Sequence, residues 1–254
     1  MASSFQKEFM VSSYELNPRG EARLTTMANY FQEIAYHHAN ELGFGYEDMK
    51  NRKTMWLLSR MKIRMKKYPV WDDRITIETW PSGVDKLFAV RDFRVMNKQG
   101  EEIGAASTGW LIVDLNTHRP IKPKEELDAY ARIIYGAPVF DGSLEKIRLP
   151  DQLEELNRHR VLYSDLDIVG HVNNVKYMEW SIDTAMFIGN REKEIHEFEI
   201  NFMKETKFGD MITISGSPGM VVSANGSHHV LVGIREEDGA EAFRSLIRWD
   251  DHGG

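Results

Sequence analysis

Apolar residues recur at three- and four-residue steps in two stretches of the chain. Met27, Tyr30, Phe31, Ile34, Ala35, His38 and Leu42 form the first stripe, the spacing of a helix that buries one face. Thr25 or Thr26 is expected to cap this helix, and Gly43 to end it. The second stripe runs from about Asn173 to Ile188, with Val175, Met178, Ile182, Ala185 and Met186 on one side and Gly189 closing it. After each helix the period falls to two. Met61, Ile63 and Met65 alternate with Arg60, Lys62, Arg64 and Lys66; Ile75 and Ile77, Phe88 and Val90, Leu111 and Val113, and Phe198, Ile200 and Phe202 continue the pattern. These are strands with one face inward.

The order repeats. Ile63 precedes Asp73 and Ile75 as Ile200 precedes Asp210 and Ile212, an offset of 137; Gly100 and Trp110 return as Gly239 and Trp249 at 139, and Tyr30 is answered by Tyr177 at 147. Two copies of one unit are predicted, each a long helix followed by an antiparallel sheet. The fold class is α+β, with each helix wrapped by a curved sheet. The first copy is placed at 1–122, a linker rich in Pro, Gly and charge at 123–150, and the second copy at 151–254.

Composition narrows the function. With 42% hydrophobic and 28% charged residues the chain is globular rather than disordered. Thirty-two basic residues face 39 acidic ones, a net charge of -7, so no global basic field exists to hold nucleic acid. Cysteine is absent, which excludes disulfides, thiolate zinc sites and a cysteine nucleophile. MASSFQKEFM lacks the apolar core of an export signal, and no stretch approaches 18 apolar residues, so a cytoplasmic protein without membrane insertion is expected. No GxSxG, GxxxxGK[ST] or GxGxxG pattern occurs. Asp165, Asp167 and Gly170 open like a calcium loop, but Val169 and Lys176 stand where ligands are required. Glu33 and His37 lie one helical turn apart without a third ligand, so no metal or other cofactor is expected.

The stretch from Asp165 to Tyr177 gathers Asp165, Asp167, His171, Asn173 and Asn174 directly ahead of the second helix. Helix N-termini direct unpaired N–H groups at one point and favour negative charge there. Splitting an activated acyl group needs a carboxylate or imidazole to deprotonate water and donors for the oxyanion. An equally weighted reading makes Asn173 or Asn174 a helix cap and Asp167 a turn former.

DLDIVGHVNNVKYMEW, residues 165–180, closely resembles the acyl-ACP thioesterase signature DLDxNxHVNNxKY, where ACP is acyl carrier protein. TTMANYFQEIAYHHANELG resembles that family's first helix, WLLSRMKIRMKKYPVWDDRITIETW its first strand pair, and EINFMKETKFGD its EYRREC segment. The resemblance spans nearly the whole chain and implies a tandem, or double, hot-dog fold. It also implies hydrolysis of fatty acyl-ACP to a free fatty acid, with Asp167, His171 and Glu205 at the catalytic positions; Asn173, Asn174 and Thr206 are candidate supporting residues. Val169 departs from the family's asparagine and Thr206 from its cysteine. A threonine hydroxyl with no activating neighbour argues for attack by water.

Tyr68 and Pro69 take the places of Glu205 and Thr206 in the first copy, and Asn17 to Gly20 those of the Asp167 loop. One active site per chain is therefore expected, in the second copy. The face of Met27, Tyr30, Phe31 and Ile34 is a candidate tunnel lining, with core packing the stronger reading. Arg60, Lys62, Arg64 and Lys66 form a basic stripe that could dock acidic ACP, although such stripes are more often the solvated side of a sheet. The family suggests a homodimer. Acyl-CoA hydrolysis and a non-catalytic acyl-binding module are the competing functions.

Overall fold

A computed structural model describes residues 4–117, 119–121, 124–190, 193–217, 221–223 and 226–249. The chain divides into two compact units, Met1–Leu144 and Glu145–Gly254. The division falls inside the segment expected as a linker.

The first unit runs β1 (Phe5–Met10), a 3-10 turn (Ser13–Glu15), α1 (Leu24–Glu41), α2 (Tyr46–Asn51), β2 (Thr54–Met65), β3 (Arg74–Asp85), β4 (Phe88–Met96), β5 (Glu102–Asp114) and α3 (Lys124–Ala131). Its strands pair antiparallel in the order β1-β3-β4-β5-β2. The second unit runs β6 (Glu154–Arg160), a 3-10 turn (Tyr163–Asp165), α4 (Asn174–Ala185), a π turn (Met186–Asn190), β7 (Ile195–Phe202), β8 (Met211–Gly216), β9 (Val221–Ser223), β10 (Gly226–Arg235) and β11 (Glu241–Trp249). Its order is β6-β8-β10-β11-β7, with β9 paired to β10. Strand for strand this is the same topology, one hot-dog after another.

In the first unit α1 buries Met27, Phe31 and Ile34 completely and Tyr30 nearly so, with Phe31 4.9 Å from Phe93 of β4 between ring centroids. Each such side chain contributes about 1.5 to 3 kcal/mol through burial. The candidate tunnel face is core. Phe44, Met49, Ala89, Ile112 and Tyr130 form a second cluster that holds α2 and α3. In the second unit Tyr177 of α4 packs 5.5 Å from Phe243, and Ser181 Oγ bonds Ser245 Oγ at 3.0 Å.

Four expectations are corrected. The first helix begins at Leu24 with Arg23 in the N-cap position, two residues ahead of the expected Thr25 cap and three ahead of Thr26; the Thr26 hydroxyl instead donates to the Glu15 carbonyl at 3.0 Å. It does end at Gly43, whose φ of 73° permits the bonds Gly43 N to Asn40 O and Phe44 N to Ala39 O, a Schellman closure. The second helix leaves α geometry at Met186 instead of running to about Ile188. A strand precedes each helix where none was expected. Finally, the helices match at an offset of 150, not 147. Tyr30 stacks on Phe9 at 4.3 Å, and Trp180 lies tilted against His159 at 4.2 Å, so Tyr30 answers Trp180 and Tyr177 answers Met27.

Candidate active site

The loop from β6 to α4 is shaped by side chains that bond its own backbone. Asp165 Oδ2 accepts the Leu162 N–H at 2.8 Å and lies 3.2 Å from His159 Nε2. Asp167 Oδ1 accepts the N–H groups of Val169 at 2.9 Å and His171 at 3.3 Å. The Asp167 N–H in turn donates to the His171 carbonyl at 2.8 Å. Gly170 supplies the left-handed φ of 82° that this turn needs.

His171 leaves the turn beside the irregular segment 203–210, because the Val172 N–H donates to the Thr206 carbonyl at 3.1 Å. This bond brings the imidazole to Glu205: Nε2 lies 3.5 Å from Oε2, with the two side chains 24% and 39% exposed. Both groups can therefore reach a substrate. The separation exceeds a direct hydrogen bond. Asn173 Oδ1 caps α4 by accepting the Val175 N–H at 2.9 Å, and Asn174 is the helix's first residue. The positive end of the α4 dipole thus lies within three residues of His171.

Thr206 is fully buried, and its hydroxyl is bound to the Tyr177 hydroxyl at 2.8 Å. Burial pushes the Tyr177 phenol up to about 12; its bonds to Thr206 oppose the rise, and the charge of Glu205 adds to it. Tyr177 therefore stays neutral in ordinary buffers. Arg235, at the end of β10, donates through Nη1 to the Glu205 carbonyl at 2.9 Å and through Nε and Nη2 to Asp238 at 3.0 and 2.7 Å. Its bond to Arg235 holds the Asp238 carboxyl down at about 2.

The first unit builds the same loop without the chemistry. Asn17 Oδ1 accepts the N–H groups of Arg19 at 2.8 Å and Glu21 at 3.2 Å, and Ala22 N donates to Pro69 O at 2.8 Å. Glu21 stands at the imidazole position and Tyr68 at the acid position.

Of the sequence-predicted residues, Asp167, His171, Glu205, Asn173, Asn174 and Thr206 gather at this loop. The basic stripe lies in the first unit and is partly covered. Arg60 donates to the Leu144 carbonyl, Lys62 and Arg64 sit 5.3 and 5.0 Å from the Phe140 ring, and Lys66 pairs with Glu102 at 2.7 Å. Glu33 meets His37 at 2.8 Å and Lys7 at 3.2 Å. Among the described residues no group of three or more His, Asp or Glu side chains is placed to hold a metal. The contacts of Tyr177 and Arg235 join residues far apart in the sequence. Tyr177 closes the signature motif, whereas nothing marked Arg235.

Comparison with known proteins agrees with this architecture. The chain is 28% identical, over 98% of its length and 74% of the relative's, to an oleoyl-acyl carrier protein thioesterase 2 of Arabidopsis thaliana. It is 29% identical, over 96% of its length and 63% of the relative's, to a palmitoyl-acyl carrier protein thioesterase of Gossypium hirsutum. A crystal structure of an acyl-ACP thioesterase from Bacteroides thetaiotaomicron superposes with a TM-score of 0.85 at 25% identity, covering 97% of this chain and 98% of that one. The acyl-ACP thioesterase N-terminal domain matches residues 2–130 and the C-terminal domain residues 150–251, so the chain belongs to the acyl-ACP thioesterase family.

Proposed function

We propose that the chain hydrolyses the thioester of fatty acyl-ACP in fatty acid biosynthesis, releasing free fatty acid and holo-ACP, with the reaction carried by the loop of the second unit. Glu205, aided by His171, takes a proton from the attacking water. The oxyanion forms near the N–H groups and positive dipole end at the start of α4. Asp167 holds the loop that presents His171. Thr206 does not attack: its side chain is fully buried, and the neutral Tyr177 phenol that it is bonded to is no base to activate it. The observation that carries this reading is the approach of His171 Nε2 to Glu205 Oε2 at 3.5 Å with both side chains open to solvent.

The test is turnover of wild type and Glu205→Gln on a panel of acyl-ACPs of different chain length, beside the matching acyl-CoAs. A general base predicts a loss of about two to four orders of magnitude in kcat; near wild-type turnover removes Glu205 from the mechanism. A higher kcat/KM for CoA esters would move the substrate assignment, and stoichiometric retention of fatty acid without turnover would favour an acyl-binding module. No helix among the described residues is long and apolar enough to cross a membrane; a cytoplasmic homodimer is part of this proposal, and sedimentation tests the dimer.

A further inference from the structure

Segment 203–210, which carries Glu205, has no regular secondary structure. Nothing in a helix or strand ladder therefore fixes the direction of its carboxylate. The peptide group between Glu205 and Thr206 is instead held at both ends. Its carbonyl accepts Arg235 Nη1 at 2.9 Å, and its N–H donates to the Tyr177 hydroxyl at 3.2 Å. These are separate elements, the end of β10 and the first turn of α4. Arg235 is itself fixed by the paired bonds to Asp238, with Asp210 3.7 Å away. Tyr177 is wedged among Trp180, Phe202 and Phe243. A peptide plane pinned on two sides sets the backbone torsions on either side of it, and hence where the Glu205 side chain starts.

The first unit serves as an internal control. There the corresponding loop closes through the same main-chain bond, Ala22 N to Pro69 O at 2.8 Å. Pro69 has no N–H to be held. Met27 stands in place of Tyr177, and Asn97, which opens the matching hairpin, in place of Arg235. The bond from Tyr177 to a main-chain N–H therefore has no counterpart in the first unit, and it occurs in the unit that carries the acid and imidazole.

We infer that Tyr177 and Arg235 are positioning residues that clamp the Glu205–Thr206 peptide and so aim the Glu205 carboxylate at the reacting water. This rests on the reading of Glu205 as the base. Tyr177→Phe and Arg235→Met each remove one jaw. An error of about 1 Å in a catalytic group costs on the order of 100-fold, so each variant is expected to lose about 10- to 100-fold in kcat, with KM within about twofold. Arg235→Lys, which keeps a donor for the carbonyl, should recover part of the loss.

The deciding measurement places both variants in the Glu205→Gln background, with thermal unfolding recorded alongside. If the clamp works through Glu205, neither variant lowers the remaining turnover there by more than about twofold. Losses that multiply in that background overturn the clamp while leaving Glu205 as base, and wild-type kcat in the single variants does the same. Wild-type turnover by Glu205→Gln alone overturns the base assignment instead. Should Tyr177→Phe fail to fold, Arg235→Met decides by the same criteria, since Arg235 lies outside the helix core.

Discussion

The Asp167 carboxylate accepts two backbone N–H groups, from Val169 and His171, and in the first unit the amide oxygen of Asn17 does the same for Arg19 and Glu21. The turn therefore needs an acceptor with the reach of Asp or Asn, and its negative charge is a separate matter. Asp167→Asn is expected to leave stability within about 0.5 kcal/mol of wild type, whereas Asp167→Ala strands two N–H groups and costs about 1 to 2 kcal/mol. If Asp167 acts by holding the loop, kcat of Asp167→Asn should remain at least about tenfold above that of Glu205→Gln, which loses the proton acceptor itself. Thermal unfolding and kcat, measured on the same preparations, separate charge from shape. An Asn variant as inactive as Glu205→Gln would make the Asp167 charge part of the reaction.

Helix α1 is tied to β4 by a buried polar contact as well as by apolar packing. His38 is fully buried, its Nδ1 accepts Arg91 Nη1 at 2.9 Å, and the same guanidinium nitrogen donates to Thr79 Oγ1 at 3.3 Å. Burial, reinforced by the adjacent Arg91 charge, pushes the imidazole down to about 4, below its unfolded value of about 6.5. Between these values the unfolded chain binds the proton and the folded chain does not, so stability is complete above about pH 6.5 and is lost as pH falls toward 4. The loss is at most about 3 kcal/mol. Urea unfolding at pH 7, 5 and 4 should show it in wild type and not in His38→Gln; parallel pH slopes would remove His38 as the cause. The two long helices were legible because each buries an apolar stripe, and the inner strands because Met61, Ile63 and Met65 alternate with half-buried cations. Strands β1 and β6 were not, since no more than half of either is covered and FQKEFM and EELNRHR carry no apolar period. The residues around the loop at His171 could be read from one contiguous motif. The two jaws at Glu205 could not, because Arg235 lies 30 residues on and reaches the site only through the β10–β11 hairpin, and because a proline on one side of the duplication hides that the other side has an N–H to hold.

A molecule with a net charge of -7 repels an acidic carrier at long range, so productive encounter with one requires a local cationic surface that acts within about 10 Å. The stripe on β2 meets that need less fully than its sequence suggests. Arg60, Lys62 and Arg64 are half-buried beneath Phe140 and Leu144, so reversing them would disturb packing and confuse docking with stability. Lys66 and Lys67, both exposed, continue past the covered part, and Lys66 shares Glu102 with Arg94. Neutralising both, Lys66→Gln with Lys67→Gln, changes the field with little change in packing. If the stripe steers acyl-ACP, KM for the carrier-linked substrate should rise about three- to tenfold at low salt and converge on wild type near 0.5 M salt, because screening removes the same attraction in both proteins. Turnover at saturation and KM for an acyl-CoA should stay level, since Lys66 pairs with Glu102 and neither lysine is among the residues gathered at the His171 loop. A KM for acyl-ACP that does not move at low salt would assign the stripe to the structure of the first unit alone.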